Sequence, residues 1–318
     1  MVVRNTKFLH IIANETAGSN HGRQTTAKVQ QYLNKIEQPY DLLRTQFPGH
    51  ATIIAKNIAI PTQLQNRVHL VVVIGGDGTL HQVIAGLRQN SNMKQLPVAY
   101  IPSGSGNDFR RSLNIELDPL KNLAHILATN QATLIDIGSL KYDQAPETIF
   151  VNNVGIGIDA RTVHLTNISA LKKLLNQIKL GSFSYLANLV RAFLQQTSFD
   201  VQITHDGYTQ NFHNIFLVTL GNEPYFGGGV PILPRATFFN HKIDLILVEK
   251  MPLKQLIPLF YCVFKDGTHL YQRGVYYTQA TQFDLQIQQP NYGQVDGELL
   301  GKAAFHVTAQ VTQYPFWL

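Results

Sequence analysis

The chain has 318 residues, 44% of them hydrophobic, with 26 Lys and Arg against 20 Asp and Glu, a formal charge of +6. That length favours two domains, and the apolar share excludes a chain too polar to build a core. The single cysteine, Cys262, excludes an intramolecular disulfide and a cysteine-built metal cluster, and the longest apolar run, Leu256–Phe264, is too short to cross a bilayer and contains Pro258.

Along the chain, KFLHIIA at 7–13 predicts a strand. Thr25 to Ile36 predicts a helix with Val29, Tyr32, Leu33 and Ile36 on one face. ATIIA predicts a second strand and VHLVVVI a third; LHQVIAGL predicts a helix, LPVAYI a strand and PLKNLAHILATN a helix. Strands alternating with helices imply a parallel sheet covered on both sides. In such sheets ligands sit at the carboxyl ends of the strands. Past Leu134 strand-like runs dominate: ATLIDIGSL, TIFVNNVG, FDVQITHDG, NIFLVTLG, KIDLILVE and a last group from Val275 to Val311. They predict a mostly antiparallel β domain. The expected division is 1–134, 135–304 and a tail, 305–318, that returns to the first domain.

One helical insert, Leu165–Gln196, interrupts the β domain. It carries Lys172, Lys173, Lys179 and Arg191, and Leu171, Leu174, Leu175 and Ile178 share a face. A basic amphipathic helix suits an anionic lipid interface, and a helix packed on the β domain fits the same pattern.

Glycine-rich turns follow three of the predicted strands. VVVIGGDGTLH leads from a strand of β-branched residues straight into a helix. Such a turn aims backbone N–H groups and the positive end of a helix dipole at one point, which suits a phosphate. Gly75, Gly76 and Gly78 would form that cradle, and Thr79 adds a hydroxyl. Asp77 would repel bare phosphate and points to a metal ion or a transferable proton. IPSGSGNDFRR supplies Gly104, Ser105, Asn107 and Asp108, and IIANETAGS supplies Asn14 and Thr16. Two other stretches carry weaker signals. GIGIDA, 155–160, has the glycine spacing of a dinucleotide turn, but no acidic residue lies between Arg161 and Phe199 to hold a ribose. GELLGKA lacks both the spacing and the hydroxyl of a phosphate-binding loop.

GGDGTLH, SGSGNDF and the late VDGE at Val295–Glu298 resemble the signature set of the diacylglycerol-kinase catalytic-domain family, closest to its bacterial soluble lipid kinases. The resemblance implies an α/β fold in which an N-terminal Rossmann-like parallel domain precedes a mostly antiparallel β-sandwich, with the active site in the cleft between them. It implies an ATP-dependent, Mg²⁺-assisted kinase acting on diacylglycerol or a related lipid alcohol. Asn14, Thr16, Ser105 and Asn107 would line the nucleotide pocket, and Asp77 and Asp108 would hold Mg²⁺. By the same resemblance Asp296 is the general base, Glu298 its partner, and Asp136 a member of the acid–water–metal network. A loop that holds a structural Mg²⁺ in relatives reads PRATFFNHKIDL here, with Asn240 at the acidic position and His241 at the glycine. An uncharged Asn240 would retain that ion weakly. Glu15 stands where proline is usual. The expected setting is a cytoplasmic protein in peripheral contact with an anionic membrane surface, with no nucleic-acid partner and with a homodimer possible. Two other readings fit part of the pattern: an NAD kinase, which shares GGDGT, and a catalytically silent nucleotide or lipid sensor.

Overall fold

The computed structural model describes residues 7–93, 95–143, 145–168 and 191–318. The chain divides into two compact units. The first takes the described residues up to Ile135 with Gly227–Gly229 and Gln313–Leu318, and the second takes Asp136–Phe226 and Val230–Thr312.

The first unit alternates β1 (Lys7–Ala13), α1 (Ala17–Lys35), β2 (Tyr40–Arg44), α2 (His50–Lys56), β3 (Val68–Gly75), α3 (Asp77–Gln89) and β4 (Val98–Pro102), followed by α4 (Asp108–Ser112) and α5 (Pro119–Ala128). Its strands are parallel in the order β2-β1-β3-β4, and Phe316 adds alongside Val98. Leu70 to Ile74 are completely buried, as a strand covered on both faces must be. Helix α1 packs with α5, and α2 with α3. Asp118 caps α5 by accepting from the N–H groups of Leu120 and Lys121, and Pro119 takes the first helical position.

The segment ATIIA is helical rather than the predicted strand, lying within α2. Its β-branched residues favour a strand locally, but Ala51 and Ala55, four apart, are the two residues the helix buries. Ala55 comes so close to α3 that a side chain on Gly86 would lie 2.8 Å from its Cβ. Small residues on one helical face thus override strand propensity. The second strand is instead YDLLR, a partly exposed edge strand beside β1.

The second unit is antiparallel, as predicted. It contains β5 (Thr133–Tyr142), β6 (Thr148–Phe150), β7 (Asn153–Gly157), α6 (Ile158–Ile168), β8 (Phe199–His205), β9 (Tyr208–Gly221), β10 (Ile243–Glu249), α7 (Leu253–Lys265), β11 (Val275–Ala280), β12 (Gln282–Val295) and β13 (Glu298–Phe316). The strands run β11-β10-β9-β7-β12-β13, with β8 against β12 and β9, and β5 against β13 and β6. Strand β10 shows why these runs read as continuously apolar. Ile243, Leu245 and Leu247 enter one core, and Ile246 and Val248 enter a second one under α7. The basic face predicted for the insert, Lys172 to Lys179, lies outside the described residues.

Candidate active site

In the first unit, a hollow of about 470 Å³ opens where β1, β3 and β4 end. Asn14, Thr16, Gly76, Gly78, Thr79 and Gly104 line it, six of the residues predicted for the nucleotide. Asn14 binds the turns together: its N–H donates to Ile74 O at 2.8 Å and its amide to Thr79 Oγ1 at 3.1 Å. Its Oδ1 accepts from the hydroxyl of Thr16 at 2.8 Å. Glu15, at the position where proline is usual, is anchored by Arg44 at 2.7 Å.

The glycines divide by role. A Cβ on Gly104 would lie 2.6 Å from Gly76 Cα, and one on Gly75 would strike Thr79. These glycines let the two turns pack on each other. Gly78 has open space where a side chain would be, so its backbone faces the hollow. Helix α3 begins here without a side-chain cap. Uncapped N–H groups at a helix start carry partial positive charge and favour an anion.

Asp77 and Asp108 hold the second turn. Asp77 Oδ2 accepts from Asp108 N at 2.9 Å, and the hydroxyl of Tyr100 reaches Asp77 Oδ1 at 3.4 Å. Asp108 is buried; its Oδ1 accepts from Arg111 at 2.6 Å and its Oδ2 from Gly228 N at 2.8 Å. Burial raises its pKa above the usual carboxylate value, against the pull of Gly228 and Arg111. Asp108 thus seats Gly227–Gly229 on the first unit. With both oxygens taken by protein donors, Asp108 has the surroundings of a structural acid. Asn107, left-handed at φ 52°, closes the turn by bonding both the N–H and the carbonyl of Gly104, and Ser105 is exposed.

In the second unit, VDGE forms a two-residue hairpin turn between β12 and β13, with Val295 paired to Glu298 and left-handed backbone at Asp296 and Gly297. The Asp296 carboxylate also accepts backbone N–H groups from Val151 at 2.7 Å, Asn152 at 2.9 Å and Asn153 at 2.8 Å. Those three bonds fix the direction of the carboxylate. Glu298 is exposed at the start of β13. Asn240 accepts from Lys242 N at 3.1 Å, in a local turn. The fully buried Asp136 is satisfied by His241, through its N–H at 2.6 Å and its ring Nδ1 at 2.9 Å. His241 has φ 58°, which explains why glycine suits that position. The N–H and ring of His241 therefore take both carboxylate oxygens of Asp136, a donor set that does not fit a structural Mg²⁺. Among the described residues no three His, Cys, Asp or Glu gather to hold a metal ion.

Residues 8–140 match the family described as diacylglycerol kinase catalytic domain, and residues 152–313 match that described as YegS C-terminal NAD kinase beta sandwich-like domain. The chain belongs to the diacylglycerol-kinase family. Within that family it is 26% identical to YtlR, a lipid kinase candidate of Bacillus subtilis, over 94% of this chain and 95% of that one. It is 28% identical to a diacylglycerol kinase of the same organism over 93% and 91%. A crystal structure of a candidate diacylglycerol kinase from Bacillus anthracis superposes with a TM-score of 0.72 at 21% identity, covering 98% of this chain and 94% of that one. At that identity the likeness speaks for the fold.

The sequence reading of this diacylglycerol-kinase relative missed two groups. Thr45, Gln46, Phe47 and Pro48 line the hollow of the first unit from the end of β2, the strand that was not foreseen. In the second unit a cavity of about 80 Å³ is apolar except for Asp159 and His269 among its described lining. Burial raises the pKa of Asp159 to about 6, against hydrogen bonds from Ala160 N–H and the Gln294 amide. Gln294 Nε2 donates to Asp159 Oδ2 at 3.2 Å and to Asn153 Oδ1 at 2.6 Å, while Gln294 Oε1 accepts from Gly297 N at 2.7 Å. The cavity's acid is therefore one residue removed from the Asp296 turn. The signal was present in GIGIDA, a lone acid opening an otherwise acid-free apolar stretch.

Proposed function

We propose that the protein transfers the γ-phosphate of ATP to the hydroxyl of diacylglycerol or a related lipid alcohol. The observation that carries this reading is the apolar cavity whose acid, Asp159, shares Gln294 with the turn bearing Asp296. Apolar cavities stay dry and take hydrocarbon, so a chain segment of a lipid suits this one and a pyridine nucleotide does not. A hydroxyl at the polar end of such a chain meets the side of the unit where Asp159, Gln294 and Asp296 are linked.

The nucleotide phosphates take the hollow of the first unit, on the backbone of Gly76 and Gly78 and the hydroxyl of Thr79. Phe47, half exposed and stacked on His50 with ring centroids 4.4 Å apart, offers the base an aromatic face. Mg²⁺ arriving with ATP would be held by Asp77 and would offset phosphate charge. Asp296 accepts the alcohol proton as the new P–O bond forms and the bond from the γ-phosphorus to the β–γ bridging oxygen breaks, releasing ADP; its carboxylate is aimed by three backbone donors and by the Asp-Gly turn. Glu298 adds negative charge beside that proton path.

The test is a panel of diacylglycerol, monoacylglycerol and sphingoid base, with NAD beside them, offered to the full chain with Mg²⁺ and labelled ATP. Label in a lipid alcohol that disappears with Asp296→Asn supports the reading. Label only in NAD, or ATP bound with no transfer to any acceptor, overturns it.

A further inference from the structure

Helix α7 has two apolar faces. Leu256, Leu259 and Val263 are buried and line the cavity. On the adjoining side, about 100° round the helix, Leu253, Ile257, Phe260 and Phe264 follow one another at helical spacing, and all are exposed, Ile257 by 61% and Phe264 by 63%. A lone exposed leucine needs no explanation, but a continuous row of large apolar side chains marks an interaction surface. Beside that row run Lys254, Pro258, Tyr261 and Lys265, with Lys265 Nζ 5.5 Å over the Tyr261 ring.

We propose that this outer face of α7 is the surface by which the protein docks on an anionic bilayer. The inference rests on the lipid-kinase reading for its purpose, though not for its physical basis. At 13 residues the helix is about 20 Å long, too short to span and suited to lie in the interface plane. Its flanks supply the matching charge: Lys250, Lys254, Lys265 and Arg273 stand against Glu249 and Asp266 in the stretch 249–274. Asp266 is already satisfied by the N–H and hydroxyl of Thr268. Lys250, Lys254 and Arg273 line a hollow of about 570 Å³ at the start of the helix together with one acid, Glu249. Lys250 Nζ is held by Gln196 O, and the net positive charge left there by Lys254 and Arg273 suits a phosphate-bearing headgroup. Tyr261 and Tyr271, both well exposed, have the amphipathic rings that favour the headgroup layer. Phe260 belongs to both sides, as part of the cavity lining and 36% exposed at the surface. A hydrocarbon chain passing that ring would go from bilayer to cavity without crossing water.

The experiment is co-sedimentation of the full chain with vesicles of phosphatidylcholine alone and with about 30% phosphatidylglycerol. Wild type should bind the anionic vesicles, and binding should fall when salt is raised to about 0.5 M. Ile257→Glu with Phe264→Glu should weaken binding about tenfold or more, since charge placed on the exposed apolar row opposes insertion. Lys254→Glu with Lys265→Glu should weaken it on anionic vesicles alone. Tyr208→Glu, exposed on the β8–β9 hairpin, should bind as wild type does. Both double variants should keep the wild-type melting temperature and phosphorylate a short-chain diacylglycerol dispersed in water. Vesicle binding by the Ile257/Phe264 variant equal to wild type overturns the proposal. So does a wild-type dimer that this variant splits with vesicle binding unchanged, because the face would then belong to a second copy of the chain. Vesicle binding that depends on α7, with no lipid phosphorylated, would uphold the docking face while removing the kinase reading.

Discussion

Gln294 and Asp159 meet at 3.2 Å although 135 residues separate them in the chain. The contact ties the apolar cavity to the turn that carries Asp296, because the same amide side chain accepts from Gly297 N. An acid buried among hydrocarbon is unfavourable for folding, so its titration should be visible in the stability of the protein.

Asp159 has a pKa of about 6 in the folded chain against 3.8 ordinarily. The unfolded chain therefore gives up this proton first as pH rises. Stability is fully present below about pH 4 and falls as pH rises through about 6, then levels off. Asp159→Asn stays neutral throughout. It should match wild type at acid pH and exceed it by about 3 kcal/mol at pH 8. Urea melts of both proteins across this range check the sign. A gap that is constant with pH would mean that Asp159 is not held protonated by burial.

The two glycine-rich turns call for opposite outcomes at neighbouring positions. Gly104→Ala places a methyl 2.6 Å from Gly76 Cα, backbone against backbone. It should destabilise the protein by about 1–3 kcal/mol. Gly78→Ala meets nothing within 4 Å and should leave the melting temperature nearly unchanged. It should still weaken ATP binding, because the methyl occupies the hollow. Thermal melts read the first effect and calorimetry the second.

Much of the first unit was legible because its signals are local. A β-branched run reads as a buried strand whatever surrounds it, and Gly-Gly-Asp-Gly reads as a strand-to-helix turn. ATIIA failed because its burial is decided by Ala51 and Ala55 packing against a distant helix, which strand propensity does not encode. YDLLR failed because an edge strand with both faces half exposed shows no period. Asp159 was visible in the sequence as a residue but not as a site. Its partner Gln294 and the apolar walls come from strands far apart in the chain, and only pairing of β7 with β12 brings them together. Gly227–Gly229 joins the first unit through backbone hydrogen bonds to Asp108 and the near contacts of Gly106 with Gly228 and of Arg111 with Gly229, none of which leaves a trace in composition.

His241 occupies a left-handed position that favours glycine, and its ring pairs with the buried Asp136. Two opposing effects follow from one residue. His241→Ala keeps the unfavourable backbone and removes the ring, leaving Asp136 one hydrogen-bond partner short. It should lose about 1–3 kcal/mol. His241→Gly removes the same ring but relieves the backbone, so it should lose about 1 kcal/mol less than the alanine variant. Chemical denaturation gives the order of the three proteins. Glycine more damaging than alanine would show that the left-handed backbone is not under tension in this chain.

Phe47 tests the nucleotide side without touching a glycine. Its ring is exposed at the rim of the hollow and stacked on His50 alone among the aromatic contacts of the described residues. Phe47→Ala should therefore leave the fold intact. Stacking of a base on an aromatic ring is worth about 1–3 kcal/mol, so ATP affinity should drop by about five- to a hundredfold. Affinity for inorganic triphosphate, which has no base, should stay the same. An equal loss for both ligands would place the defect in the phosphate cradle and take the base away from Phe47.

Asp296→Asn separates chemistry from binding, but the variant also disturbs its own support. Three backbone N–H groups point at the two carboxylate oxygens, so an amide NH₂ in place of either oxygen must face at least one donor. The turn should loosen, with about 1–3 kcal/mol of stability lost. The nucleotide residues belong to the other unit, and ATP affinity measured by calorimetry should hold within about twofold while turnover falls about a hundredfold or more, the usual share of a general base. Asp296→Glu keeps the charge and displaces it by one methylene, and should recover part of the stability but little of the rate. Full activity in either variant would remove Asp296 from the proton path and leave it as the clamp on residues 151–153.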